Sequence, residues 1–181
     1  MAQIHGIELK GMKTFLDHEG ARIAQGNLYV EGKKVAEWSQ DSWGGPDIFR
    51  MSKGYSEEAL NNAIKKVHPQ TKKCETYGGD FELDYDADLL MGDLVVLTHE
   101  EKDYKKFAKS GYPTLCTITD GFASISWGIR STTGLTESLK SKLMTQAKQN
   151  GIHTDSATLT LKTSLADFIV GEPIKLADIK A

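Results

Sequence analysis

Three features of the sequence predict an α+β fold. Short period-two segments alternate with Gly- and Asp-containing turns over residues 1–40, capped amphipathic segments follow, and an Asp-Gly hairpin lies between two of these. The expected architecture is an antiparallel N-terminal meander, helices, a central β-hairpin, and a further helix and strand. These pack around one or two antiparallel sheets.

The meander comes first. Ile4 to Phe15 alternates loosely, with Ile7, Leu9 and Phe15 separated by charged or small residues. Asp17-His18-Glu19-Gly20 breaks the run, because Gly20 takes positive φ and Asp17 caps the backbone that follows. Ala21 to Val30 resumes as a strand, Glu31-Gly32-Lys33 reverses the chain, and Lys34 to Ser39 is the third strand, with Val35 and Trp38 as its bulky positions. Asp41-Ser42-Trp43-Gly44-Gly45-Pro46-Asp47 is a loop centred on Trp43. Trp43 has two placements open to it. It either folds back over the meander as a lid on the core, or stands exposed as an anchor for a partner, since aromatic residues dominate binding hot spots.

The helices have readable ends. Ser56 is an N-cap followed by Glu57 and Glu58, and Leu60, Ala63, Ile64 and Val67 share one face until His68-Pro69 stops the helix. Thr98-His99-Glu100-Glu101 reads as a capping box opening a helix to about Ser110, with Lys105, Lys106 and Lys109 at its negative end and Gly111 closing it. A third helix starts near Thr136, buries Leu139, Leu143, Met144 and Ala147, and ends at Asn150-Gly151 with Ile152 placed for a Schellman contact. Between the last two lies the hairpin. Thr114–Thr119 turns at Asp120-Gly121, the preferred type I′ pair, with Thr119 opposite Phe122 and Ile125 and Trp127 on one face of the return strand. Thr158 to Lys162 is one more strand, and Ser164 caps a short helix through Ile169. The chain reads as one compact domain over 1–181, with a division into a meander (1–50) and an α/β part (51–181) as the alternative.

Composition narrows the function classes. Of 181 residues, 39% are hydrophobic, ample for a core, and 26% are charged, which argues against wholesale disorder. Lys plus Arg number 22 against 25 Asp plus Glu, a net charge of −3, so direct nucleic-acid binding through a generally basic surface is not expected. No apolar run approaches the roughly 20 residues of a membrane span. MAQIHGIELK lacks the pattern of a signal peptide. Cys74 and Cys116 are too few for a disulfide framework. A reduced, cytoplasmic protein without cofactor or metal is expected. The phosphate-binding, dinucleotide, nucleophile-elbow and zinc-protease motifs are all missing, and the five histidines are scattered. Cys74, beside Lys72 and Lys73, is placed for a lowered thiol pKa, while Cys116 in a strand reads as a core residue.

The most informative stretch is Asp80-Phe81-Glu82-Leu83-Asp84-Tyr85-Asp86-Ala87-Asp88-Leu89. If extended, it lines one face with Asp80, Glu82, Asp84, Asp86 and Asp88, spaced about 7 Å apart, while Phe81, Leu83, Tyr85 and Leu89 pack inward. That spacing is close to the separation of phosphates along a nucleic-acid strand. Three readings stand: a solvated face, a mimic of nucleic-acid phosphates that occupies a basic groove, and a calcium loop. The calcium template fails, because counting from Asp84 puts Leu89 where it needs Gly and Val95 where it needs Glu.

Ile7–Phe15 and Asn27–Ala36, with the Gly44-Gly45 loop that ends at Phe49, resemble small proteins from phages and mobile elements of Gram-positive bacteria. Some proteins of this type are anti-CRISPR inhibitors of the type II RNA-guided DNA nuclease. The resemblance covers about residues 1–50 and carries no catalytic residues. It implies a non-enzymatic protein that binds such a nuclease in the bacterial host cell and blocks DNA binding or cleavage. Together with the sequence reading, it nominates Asp80, Glu82, Asp84, Asp86, Asp88 and Trp43 as binding residues. The alternatives are a structural or protein-interaction module of a mobile element with no nuclease target, and an enzyme using Cys74 and the acidic cluster.

Overall fold

A computed structural model describes residues 1–20, 22–43, 45–68, 71–76, 79–120, 123–131, 134–155 and 157–181, with backbone alone at 71–76 and 79–83. The protein is α+β. The chain divides into two compact units, Met1–Thr98 with Ile169–Ala181, and His99–Phe168.

The meander of the first unit forms because its turns are chemically specified. His5-Gly6 and Glu31-Gly32 each hold two successive positive-φ residues, at +50° and +74° and at +48° and +75°. Two such residues make the type I′ turn, whose twist matches the flanking strands. The first pair joins β1 (Gln3–Ile4) to β2 (Ile7–Leu16), and the second joins β3 (Arg22–Val30) to β4 (Lys33–Ser39). Between β2 and β3 the Glu19 N–H donates to the Asp17 carboxylate at 2.9 Å and Gly20 sits at φ +83°, as expected for that turn. β5 (Ile48–Met51) pairs antiparallel with β4, and the strand Ile169–Val170, β11 in chain order, pairs parallel with β1. The resulting order is β11-β1-β2-β3-β4-β5. Ile7, Leu9, Leu28, Val30, Ala36 and Trp38 are buried on its inner face.

His5 fastens β11 to this sheet. Its N–H donates to the Val170 carbonyl at 2.7 Å, its carbonyl accepts from the Ile174 N–H at 2.8 Å, and Nδ1 lies 3.0 Å from the Glu172 carbonyl. Gly171, at φ +75°, is required here, because a Cβ would overlap the His5 ring.

One expectation for β2 is overturned. Phe15 does not continue the inward series of Ile7 and Leu9; it is exposed on the other face. The register explains this. Lys10 pairs with Asn27 but Lys13 pairs with Gln25, so Gly11 and Met12 together oppose Gly26. One extra residue in a strand of period two turns every later side chain over.

α1 (Glu57–Val67) starts as expected, with the Ala59 N–H donating to Ser56 Oγ at 3.3 Å. It buries Leu60, Ala63 and Ile64 and packs against the 3₁₀ turn Leu176–Ile179. β6 (Thr71–Thr76) and β7 (Gly79–Asp84) form a two-stranded antiparallel ribbon. The helix expected from Thr98 begins earlier. α2 runs from Ala87 to Lys109, so Thr98 and Glu101 are buried interior residues and not a capping box. Asp86 makes the true cap, accepting the Leu89 N–H at 3.1 Å, and Leu90, Met91, Leu94 and Leu97 supply a buried stripe at helical spacing. The far end holds as expected. Gly111 at φ +83° closes α2, with the Tyr112 N–H reaching the Phe107 carbonyl at 3.0 Å.

The second unit packs β8 (Thr114–Thr119), β9 (Ser124–Ile129), α3 (Glu137–Gln149) and β10 (Thr158–Lys162). The sheet order is β10-β8-β9, and Cys116, Ile118, Ile129, Leu143, Ala147 and Ile152 form its core. α3 carries both expected caps, Thr136 accepting the Leu139 N–H at 3.3 Å and Gly151 at φ +87° with the Ile152 N–H on the Ala147 carbonyl at 3.1 Å. The hairpin register differs from expectation. Thr119 pairs with Ser124 and not Phe122, and Asp120 does not take positive φ; Gly121 and Phe122 lie outside the described residues. Asp120 instead clasps the reversal, its carboxylate accepting the Ala123 N–H at 2.9 Å while Thr119 Oγ1 donates to the Ala123 carbonyl at 3.0 Å. The segment after Ser164 is a 3₁₀ turn over Leu165–Phe168, shorter than the helix expected to Ile169, since Ile169 already belongs to β11.

Candidate interaction surface

The nominated acidic residues do not share one extended face. Asp80, Glu82 and Asp84 hold alternate positions of β7, opposite Glu75, Lys73 and Thr71 on β6. The alternation then stops, because the chain turns into α2 at Asp86. Asp84 is exposed and accepts from Lys65 Nζ at 2.9 Å, a surface pair of small energetic weight. Asp86 is occupied as the helix cap. Asp88, in the first turn of α2, is half-buried and accepts the Asp47 N–H at 3.3 Å. The side chains of Asp80 and Glu82 lie outside the described residues. Of the four side chains expected to pack inward, Tyr85 is buried and Leu89 half-buried, while Phe81 and Leu83 also lie outside that description.

The bond between Asp47 and Asp88 draws in a segment that the alternating pattern does not reach. Asp47 ends the loop that carries Trp43, and its carboxylate accepts the Trp38 indole N–H at 2.7 Å. Asp41, at the other end of that loop, accepts the Gly45 N–H at 2.7 Å. Each of these carboxylates therefore answers a protein donor. Burial pushes the Asp47 carboxyl up to about 6, against the pull of the Trp38 hydrogen bond and reinforced by Asp88, Asp41 and Asp86. Burial also raises Asp88, helped by Asp86 and opposed by the Asp47 N–H. Three carboxylates thus act on Asp47, and one of them, Asp86, also acts on Asp88.

No family model, curated protein or solved structure matches the chain.

Trp43 is 72% exposed, so the lid placement is overturned. Its ring lies 4.5 Å from that of His18, centroid to centroid, and Trp38 covers the core in its stead. Trp38, whose indole N–H is held by Asp47, is the tryptophan that is buried. Among the described residues, no three His, Cys, Asp or Glu side chains are placed to hold a metal ion. Among them too, no helix is long and apolar enough to cross a membrane. Cys116 is a core residue whose thiol burial pushes up to about 11, and the Cys74 side chain lies outside the description. Asp41 and Asp47 escaped the sequence reading because no periodicity marks them; the Trp-Gly-Gly-Pro loop between them was the one available signal.

Proposed function

We propose that the protein is a non-enzymatic inhibitor that binds a bacterial type II RNA-guided DNA nuclease and blocks DNA binding or cleavage. The observation that supports this reading is the hydrogen bond from the Asp47 N–H to Asp88, which ties the loop of the exposed Trp43 to the acidic segment. Such nucleases hold nucleic acid in positively charged channels. Carboxylates steer a partner toward a basic channel, and an exposed tryptophan supplies the apolar contact area that charge alone does not. Residues 1–50 resemble small phage and mobile-element proteins, some of which are anti-CRISPR inhibitors, and that resemblance is what suggests this partner among basic surfaces.

The test is a guided DNA-cleavage assay. Its variants avoid the residues with structural duties, so charge reversal is confined to Asp80, Glu82 and Asp84, leaving the Asp86 cap and Asp88 intact. Wild type is expected to inhibit cleavage, Asp80→Lys/Glu82→Lys/Asp84→Lys to lose at least about tenfold in potency, and Trp43→Ala to lose a similar factor. Full inhibition by both variants overturns this surface. Binding by wild type without inhibition favours an interaction module of another kind.

A further inference from the structure

The outer face of the six-stranded sheet holds a depression of about 330 Å³ lined mainly by polar side chains, together with Ile48, which pairs with Ser39. The ladder places them in two rows. Asn27, Glu37 and Arg50 lie opposite one another across β3, β4 and β5, and Lys13, Gln25 and Ser39 form the next row across β2, β3 and β4. Residues directly opposite share a face, and successive residues on one face are about 7 Å apart along a strand. Lys13 joins only because of the bulge. Gly11, at φ +64°, and Met12 take the place opposite Gly26, which turns Lys13 outward beside Gln25. A bulge also bends and twists its strand, and Gly11 puts no side chain into the hollow so made.

The charges there do not cancel. Glu37 accepts from Lys34 Nζ at 2.8 Å; this bond, with Arg50 nearby, holds its carboxyl below the usual range. Its charge is therefore committed. Lys13 and Arg50, neither of them in an ion pair among the described residues, face a hollow that also offers the amides of Gln25 and Asn27 and the Ser39 hydroxyl. Charge-assisted hydrogen bonds from such donors suit an oxyanion. The chain as a whole is acidic, so the preference is local and not a consequence of net charge.

We propose that this depression binds a small molecule bearing a phosphate or carboxylate group. Its volume is near the lower end for ligand pockets, and its polar lining selects a water-soluble metabolite over an apolar one. None of the residues that line it belongs to the acidic segment or the Trp43 loop, so the proposal stands apart from nuclease binding.

Amide chemical shifts of the full chain, followed during titration with inorganic phosphate and separately with citrate at fixed ionic strength, test it. Saturable shifts are expected at residues 11–13, 25–27, 37–39 and 48–50. The Lys13→Gln/Arg50→Gln variant should keep the wild-type spectrum elsewhere and bind at least about tenfold more weakly. Tighter phosphate binding identifies a phosphate-bearing ligand, and tighter citrate binding a carboxylate one. Shifts that do not saturate, that sodium chloride reproduces, or that persist at equal affinity in the double variant overturn the proposal.

Discussion

At the scale of single residues, Asp47 has two opposing duties. It accepts from Trp38, which favours its charged form, yet it is half-buried among other carboxylates, which favours the neutral form. The second effect wins, and the carboxyl sits at about 6 in the folded protein. An unfolded aspartate titrates near 4, so the folded state holds the proton more tightly. The stability this contributes is fully present below about pH 4 and is lost as the pH rises through about 6. Asp47→Asn keeps an acceptor for Trp38 and removes the titration. Wild type should therefore lose about 1–2 kcal/mol relative to this variant between about pH 4 and 7, a figure reduced for solvent screening at a half-exposed site. Urea unfolding of both proteins at several pH values checks it, and parallel profiles would end the argument.

At the scale of elements, legibility follows the range of the interaction that fixes each one. The caps at Ser56 and Thr136, the Gly151 closure and the Glu31-Gly32 turn depend on groups within about five residues, and each could be read from the sequence. The start of α2 could not, because Asp86 satisfies two patterns at once. It continues the alternation of Asp80, Glu82 and Asp84, and it is also a good N-cap; the buried Leu90 and Met91 decide for the helix. The bulge in β2 hid for a related reason. Its extra residue shows only once β2 is laid against β3, and then it exposes Phe15 and brings Lys13 beside Gln25. In the candidate surface, Trp43 and Asp88 were each legible, but their connection through Asp47 bridges two segments with no shared periodicity. The corrected frame of α2 has a measurable consequence. Thr98 Oγ1 is buried with no hydrogen-bond partner among the described residues. Thr98→Val, which keeps the shape and drops the hydroxyl, should be neutral or stabilising by up to about 1 kcal/mol. A capping threonine would instead cost about 1 kcal/mol when lost. The urea midpoint separates the two.

At the scale of the whole molecule, charge is unevenly shared between the units. The first carries 18 Asp and Glu against 13 Lys and Arg, and the second 7 against 9. The acidic excess thus lies in the unit that holds β7, the start of α2 and the Trp43 loop. If this unit meets a basic partner, attraction over distance acts mainly on encounter, and screening beyond about 10 Å at 0.1 M salt removes it. Raising salt from low to physiological strength should slow association with the nuclease by about tenfold or more and change dissociation much less. Surface-binding kinetics across a salt series read both rates, and an association rate indifferent to salt counts against electrostatic steering.

The stitching of β11 to β1 through His5 gives the chain a schedule. Residues 99–168 are contiguous, whereas the first unit needs Ile169–Ala181 to be whole. On the ribosome, everything the second unit requires has therefore been made before the last piece of the first leaves the exit tunnel. Until that piece arrives, β1 offers a bare edge, open to pairing with any passing strand. A nascent chain that has emerged only as far as Phe168 would carry its later unit complete and its earlier unit unsealed, the reverse of the order in which the two began.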